Sequence, residues 1–129
     1  MKKLLAITAV ATAIAISLSS CFREEKMGFP NKVEFGAEGG TQLFQGTDWV
    51  YVSGFTPDRV VTPDNTTTID TLTDIETVTN GWLTVITNPN ATVTFVARPN
   101  DTPSPRHMTV EVTSAYKYHD IKVWQAAGK

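Results

Sequence analysis

Apolar and polar residues alternate with a period of two over many short stretches of the chain. In "DWVYVSG", Trp49, Tyr51 and Ser53 fall on one side and Val50 and Val52 on the other. In "GWLTVIT", Trp82, Thr84 and Ile86 oppose Leu83, Val85 and Thr87. "ATVTFVARPN" alternates over Val93, Phe95 and Ala97. "RHMTVEVTS" sets Met108, Val110 and Val112 against His107, Thr109, Glu111 and Thr113, and "DIKVWQA" sets Ile121 and Val123 against Lys122 and Trp124. This period means half-buried strands. Gly39-Gly40, Asn80-Gly81, Asn88-Pro89-Asn90 and Pro99-Asn100-Asp101 supply turns between them. About seven strands are predicted, near 32–36, 41–45, 48–53, 82–87, 91–98, 107–114 and 119–126. No run suggests a helix of useful length. Short, regularly spaced strands with polar turns point to an all-β fold, an antiparallel β-sandwich.

Residues 54–80, "GFTPDRVVTPDNTTTIDTLTDIETVTN", break the rhythm. They are long for a loop in a compact domain. Val60-Val61 and the run from Ile75 to Val78 can make extra edge strands, so the simplest reading is a hairpin inserted into the sandwich.

The N-terminus has a different pattern. Lys2 and Lys3 precede an apolar stretch from Leu4 to Ile16, and small residues follow. That order is a secretory signal peptide, and the stretch is too short for a comfortable membrane span. Leu18-Ser19-Ser20-Cys21 resembles the lipobox of bacterial lipoproteins, which implies cleavage before Cys21 and a lipid on it. By the same resemblance, Phe22 in place of aspartate implies outer-membrane delivery. Glu24-Glu25 resembles the surface-export tag of Bacteroidetes lipoproteins, which implies display on the cell surface. The predicted layout is a lipoprotein signal peptide at 1–20, a lipidated Cys21 with a tether to residue 31, and one domain over 32–129.

Composition narrows the classes. The chain of 129 residues carries 11 Lys+Arg against 13 Asp+Glu. Loss of Lys2 and Lys3 with the leader makes it more acidic, which argues against nucleic-acid binding. Cys21 is the single cysteine. With it lipidated, stability must come from packing rather than disulfides.

Several landmarks line up in order: Gly39-Gly40 between strands, Trp49, "GWLTV" at 81–85, Asn100 after a Thr/Val strand, Arg106 opening "RHMTVEV", and the terminal "IKVWQAA". This order resembles the BACON domain (Bacteroidetes-associated, carbohydrate-binding, often N-terminal) over about residues 32–127. The resemblance implies an immunoglobulin-like sandwich and a role in carbohydrate binding, or in spacing other modules. Two features depart from the family: the long span between Trp49 and Trp82, and Asn88-Pro89-Asn90 in place of a small-residue turn. Asn100, Arg106 and Gln125 suit backbone contacts at turns and at the end of the sandwich more than ligand contacts.

Little suggests catalysis. His107 and His119 have no second ligand at metal spacing and are expected to face solvent. The carboxylates are scattered, with Asp70 and Asp74 in the insertion, and "GGTQLFQG" lacks the ending of a phosphate loop. The expectation is no enzyme, no metal and no cofactor, although an acidic dyad in a deep pocket would reopen the question. The candidate ligand-binding residues are Tyr116, Tyr118 and Trp124, an aromatic strip on the last hairpin. The favoured alternative has Trp124 packed under the long insertion. Trp49 and Trp82 are expected in the core, as large residues on strands usually are. "DTL" at 70–72 resembles an O-glycosylation motif with Thr71 as acceptor. The partners implied are the membrane through the lipid and a glycan or an envelope protein. The alternative is a passive spacer or accessory subunit of an outer-membrane complex.

Overall fold

The computed structural model describes residues 22–57 and 66–129. Residues 1–21, where the signal peptide and the lipidated Cys21 are expected, and Val60-Val61 lie outside the described residues. Ten strands follow in chain order: β1 Arg23–Glu24, β2 Lys32–Phe35, β3 Gly40–Gln45, β4 Tyr51–Pro57, β5 Thr66–Asp70, β6 Ile75–Asn80, β7 Leu83–Asn88, β8 Thr92–Ala97, β9 Arg106–Ser114 and β10 Lys117–Gln125. They form two five-stranded sheets with no helix among the described residues. The first sheet runs β1-β10-β9-β4, with β2 also on β10; the second runs β3-β8-β7-β6-β5. Only β1 and β2 pair in parallel, both with β10. The fold is the expected all-β sandwich.

Seven of these strands fall close to the predicted ones. The other three have separate origins. β5 and β6 form a hairpin from the 54–80 segment and extend the second sheet. Among the described residues, β5 is exposed along its whole length. β1 comes from the expected tether. Arg23 N–H donates to Tyr116 O and Glu25 N–H to Tyr118 O. Met27 and Phe29 are buried in the core. The Phe29 ring lies on the Gly46 backbone, where any Cβ would strike it. Residues 22–30 are therefore packed on the sandwich, contrary to the tether expectation, because they hold two large apolar side chains that a solvated linker would leave wet.

The core follows the alternation. Val33, Leu83, Val85, Val93, Phe95, Val110, Val112, Ile121 and Val123 are essentially inaccessible. β4 shows why parity alone is not enough. Val50 is buried, yet so is Phe55, which has the opposite parity. A bulge between Val52 and Gly54 inserts Ser53 and flips the later residues inward. Val52 packs against the core, and Ser53 Oγ reaches Glu111 and Thr113 on β9.

One end of the sandwich is closed by buried polar groups. Asn100 donates to Ser104 O and Ala126 O and accepts from the amide and hydroxyl of Thr102. Gln125 donates to Gly36 O and Arg98 O, and its Oε1 accepts from Arg106 Nε at 2.7 Å. Arg106 also donates to Arg98 O and Pro99 O and lies 4.9 Å from the centre of the Trp82 ring. Burial pulls its guanidinium pKa down, opposed by Asp101. Gly39 has φ +76°, and a Cβ there would meet Ala97 O, so this turn needs glycine. These residues hold the fold, as their turn positions suggested.

Candidate functional site

The opposite end carries most of the exposed aromatics. Three segments meet there: the entry to β4, the β5–β6 turn and the β9–β10 turn. Trp49, Tyr51, Ile69, Asp74, Glu76, Thr87 and the Ser114–Ala115 corner line a cleft of about 310 Å³.

Each wall has a local cause. Val50 takes the buried side at the start of β4, so Trp49 and Tyr51 must face out, and each is half exposed. The residue before Trp49 is fixed: Asp48 Oδ2 lies 3.0 Å from Lys117 Nζ, and Thr47 Oγ1 donates to Asp48 Oδ1 at 2.6 Å. The Thr47 hydroxyl first, then Lys117, hold the Asp48 carboxyl below its ordinary pKa, and the same pair raises Lys117. The β5–β6 turn is held by Asp70, which accepts from Leu72 N–H at 2.9 Å; that bond first, then the Thr73 hydroxyl, lower its pKa. The chain then passes through Asp74 at φ 59°, an aspartate in a left-handed position. Glu76 Oε1 accepts from Val52 N–H at 3.1 Å and ties the hairpin to β4. Thr87 is 1% exposed, and its Oγ1 has no hydrogen-bond partner in the protein. A buried hydroxyl without a partner costs free energy, and the Thr87 Oγ1 atom is itself shielded from solvent beneath the cleft.

A second, shallower groove continues across Tyr51 on the outer face of the first sheet. Phe22, Tyr51, Ser53, Glu111, Thr113 and Tyr118 line it.

The expected aromatic strip does not form. Trp124 pairs in register with His107 on β9 and Glu34 on β2, at the far end of β10 from Tyr118. They are six positions apart along the strand, roughly 20 Å. The Trp124 ring stacks on His107, with centroids 4.4 Å apart, and Lys32 Nζ lies 5.6 Å from its centre. It does face outward as the alternation required, but its ring partners are His107 and Lys32 rather than the insertion. Tyr116 is exposed in the β9–β10 turn, with Arg23 5.4 Å from its ring centre. Tyr118 is half-buried in the second groove. Thr71 is exposed in the β5–β6 turn. Cys21 lies outside the described residues, next to Phe22.

Two further expectations are corrected. Trp49 is not in the core, because the two valines on the other side of its strand take the inward face; Trp82 is half-buried at the core's edge. His119 does not face solvent. It is 1% exposed, Nε2–H donates to Pro30 O at 2.9 Å, and Nδ1 has no hydrogen-bond partner, with Glu24 Oε1 4.0 Å away. The packed N-terminal segment covers it. Among the described residues, no group of three His, Cys, Asp or Glu could hold a metal ion.

The cleft residues that the sequence reading passed over are Trp49, Tyr51, Ile69, Glu76 and Thr87. For the first two a signal existed: in "DWVYV" the valines make the better core face.

A family model described as "Putative binding domain, N-terminal", that of the BACON domain, matches residues 72–126. No curated protein matches the chain. Among solved structures, a protein from Bacteroides thetaiotaomicron determined by NMR is 23% identical, with 79% of this chain and 81% of that one covered and a TM-score of 0.60. A Bacteroides ovatus GH5 xyloglucanase in complex with a XXXG heptasaccharide is 19% identical over 75% of this chain and 17% of that one, with a TM-score of 0.45. At 23% identity the likeness to the Bacteroides thetaiotaomicron protein is one of fold alone. The matched span holds the later landmarks, from "GWLTV" to "IKVWQAA", while Gly39-Gly40 and Trp49 lie outside it; the match is consistent with a BACON-domain protein.

Proposed function

We propose that this chain is a lipid-anchored, outer-membrane binding module displayed on the cell surface, and that its cleft between Trp49 and the β5–β6 turn takes a glycan. The observation that carries the reading is the composition of that cleft. Two half-exposed aromatic rings stand beside two carboxylates and a buried threonine hydroxyl without a partner. Sugars present apolar faces to aromatic rings and hydroxyls to fixed polar groups, which is the usual make-up of a ligand site. The family description as a binding domain supports a binding role in general.

Binding is preferred to hydrolysis for a stated reason. A glycosidase needs one carboxyl kept protonated by burial and a second about 5–10 Å away across the sugar. Asp74 is exposed, and Glu76 is half-buried with Oε1 engaged by the Val52 amide. Exposure of the one and engagement of the other leave no enclosed carboxyl pair in the cleft.

The second reading is an accessory subunit that holds an envelope protein by strand addition. It is favoured by β5, whose five residues are all exposed.

A leaderless form starting at Phe22, which keeps β1, Met27 and Phe29, is the material for the test. It is titrated against a panel of polysaccharides and mucin glycans. Binding is expected, and Trp49→Ala is expected to weaken it by about 2 kcal/mol, roughly thirty-fold, as loss of a central aromatic contact does. Trp124→Ala should leave it unchanged. A folded protein that binds no glycan would remove the carbohydrate reading and leave the accessory subunit.

A further inference from the structure

Among the described residues, eight large hydrophobic side chains are exposed, and six of them crowd one end of the sandwich: Phe22, Trp49, Tyr51, Ile69, Leu72 and Tyr116. Leu72 is 94% exposed and Phe22 65%. Leu43 and Trp124 are the two elsewhere. Scattered surface hydrophobics are ordinary, but a cluster marks an interaction surface.

The chain itself indicates what covers that surface. β1 is bonded to the start of β10 through Arg23 N–H to Tyr116 O and Glu25 N–H to Tyr118 O. The backbone is thus fixed up to the residue after Phe22. Cys21 lies two peptide units before Arg23, and each unit spans only about 3.8 Å. A lipid on Cys21 would have almost no slack. It would hold this end of the molecule, and no other, against the bilayer. Tyrosine and tryptophan favour the headgroup layer, where a ring can be half wet and half apolar.

We propose that the Trp49–Tyr116 end of the sandwich rests on the bilayer surface, with Phe22, Leu72, Tyr116 and the rim of the cleft at headgroup level. This rests on the reading of Cys21 as lipid-bearing. The charges at this end set the lipid chemistry. Glu24, Glu25, Asp48, Asp70, Asp74 and Glu76 outnumber Arg23, Lys26 and Lys117. The contact is therefore apolar and suits a zwitterionic surface; anionic headgroups do not strengthen it. One consequence is that the cleft addresses ligands presented at the surface of its own membrane.

The three tryptophans make the test. Trp49 is at the membrane end, and Trp82 and Trp124 are at the other. The full-length lipoprotein is reconstituted into phosphatidylcholine vesicles containing lipid brominated near the headgroup. One variant keeps only Trp49 (Trp82→Phe with Trp124→Phe), and another keeps only Trp124 (Trp49→Phe with Trp82→Phe). Trp49 emission should be strongly quenched and Trp124 emission unaffected. Hydrogen exchange on the unmutated lipoprotein, compared between vesicles and detergent, gives the same reading without substitutions: protection is expected at 22–25, 71–74 and 115–116. Vesicle-bound protein with Trp49 unquenched and those amides unprotected would overturn the orientation and leave the anchor standing. Protein that does not associate with vesicles at all would overturn both. Quenching that needs added anionic lipid would overturn the apolar contact.

Discussion

Asp120 faces Glu111 directly across the β9–β10 pair, on the outer side of the first sheet. Burial raises its pKa most, and then Glu111 and Glu24 add to the rise. A carboxyl whose folded pKa exceeds its unfolded value of about 3.9 costs the folded state whenever it is charged. That cost is complete above the raised pKa and vanishes once both states are protonated. Asp120 is exposed, so solvent screens the repulsion, and Asp120→Asn should be only slightly the more stable protein at pH 7, by at most about 0.5 kcal/mol. The gain should shrink as pH falls through the carboxylate range. Urea midpoints of the two proteins at pH 7 and pH 3.5 check the sign; a gain that persists at low pH would mean the charge is not its source. At this scale the sequence is informative about facing and poor at choosing the core side. Alternation placed Trp49 and Tyr51 opposite Val50 and Val52. Size alone suggested the aromatics go inside. Val50 is buried and Val52 packs partly buried against the core, so the β-branched pair takes the inward side.

Among the elements, the N-terminal segment is the most informative. Charge made residues 22–30 look like a solvated link. Met27 and Phe29 pack into the core, Pro30 O takes the buried His119 ring nitrogen, and β1 extends the first sheet. Phe29→Ala should cost about 3–5 kcal/mol, the usual loss for a buried phenylalanine. A denaturation midpoint measured beside the unmutated protein checks this, and a loss below 1 kcal/mol would restore the tether. This element was not legible because parallel pairing to β10 is long-range, and two residues give no periodicity to read. The β5–β6 hairpin was partly legible from Ile75 to Val78. The bulge at Ser53 was not, since nothing in "VYVSGF" marks which residue is extra. The antiparallel strands from β7 to β10 were legible nearly to their ends from their alternation, although their buried polar residues, Thr87, Thr113, His119 and Gln125, were not read as buried.

In the whole molecule, the two ends of the sandwich divide the work. One is sealed by Asn100, Arg106 and Gln125, whose polar atoms are spent on backbone and on each other. The other displays aromatics, leaves Thr87 Oγ1 without a protein partner, and receives the chain from Cys21. The expected strip of Tyr116, Tyr118 and Trp124 spanned both ends, because adjacency in sequence was read as adjacency in space. Along a nine-residue strand it is not. The cleft draws on three stretches far apart in sequence, so only the assembled fold reveals it. The most direct test of this account follows the backbone amides of the labelled Phe22–Lys129 protein by NMR during titration with a glycan it binds. Shifts confined to residues 49–52, 69–76, 87 and 114–115 are predicted. Shifts centred on His107 and Trp124, with the cleft silent, would contradict it.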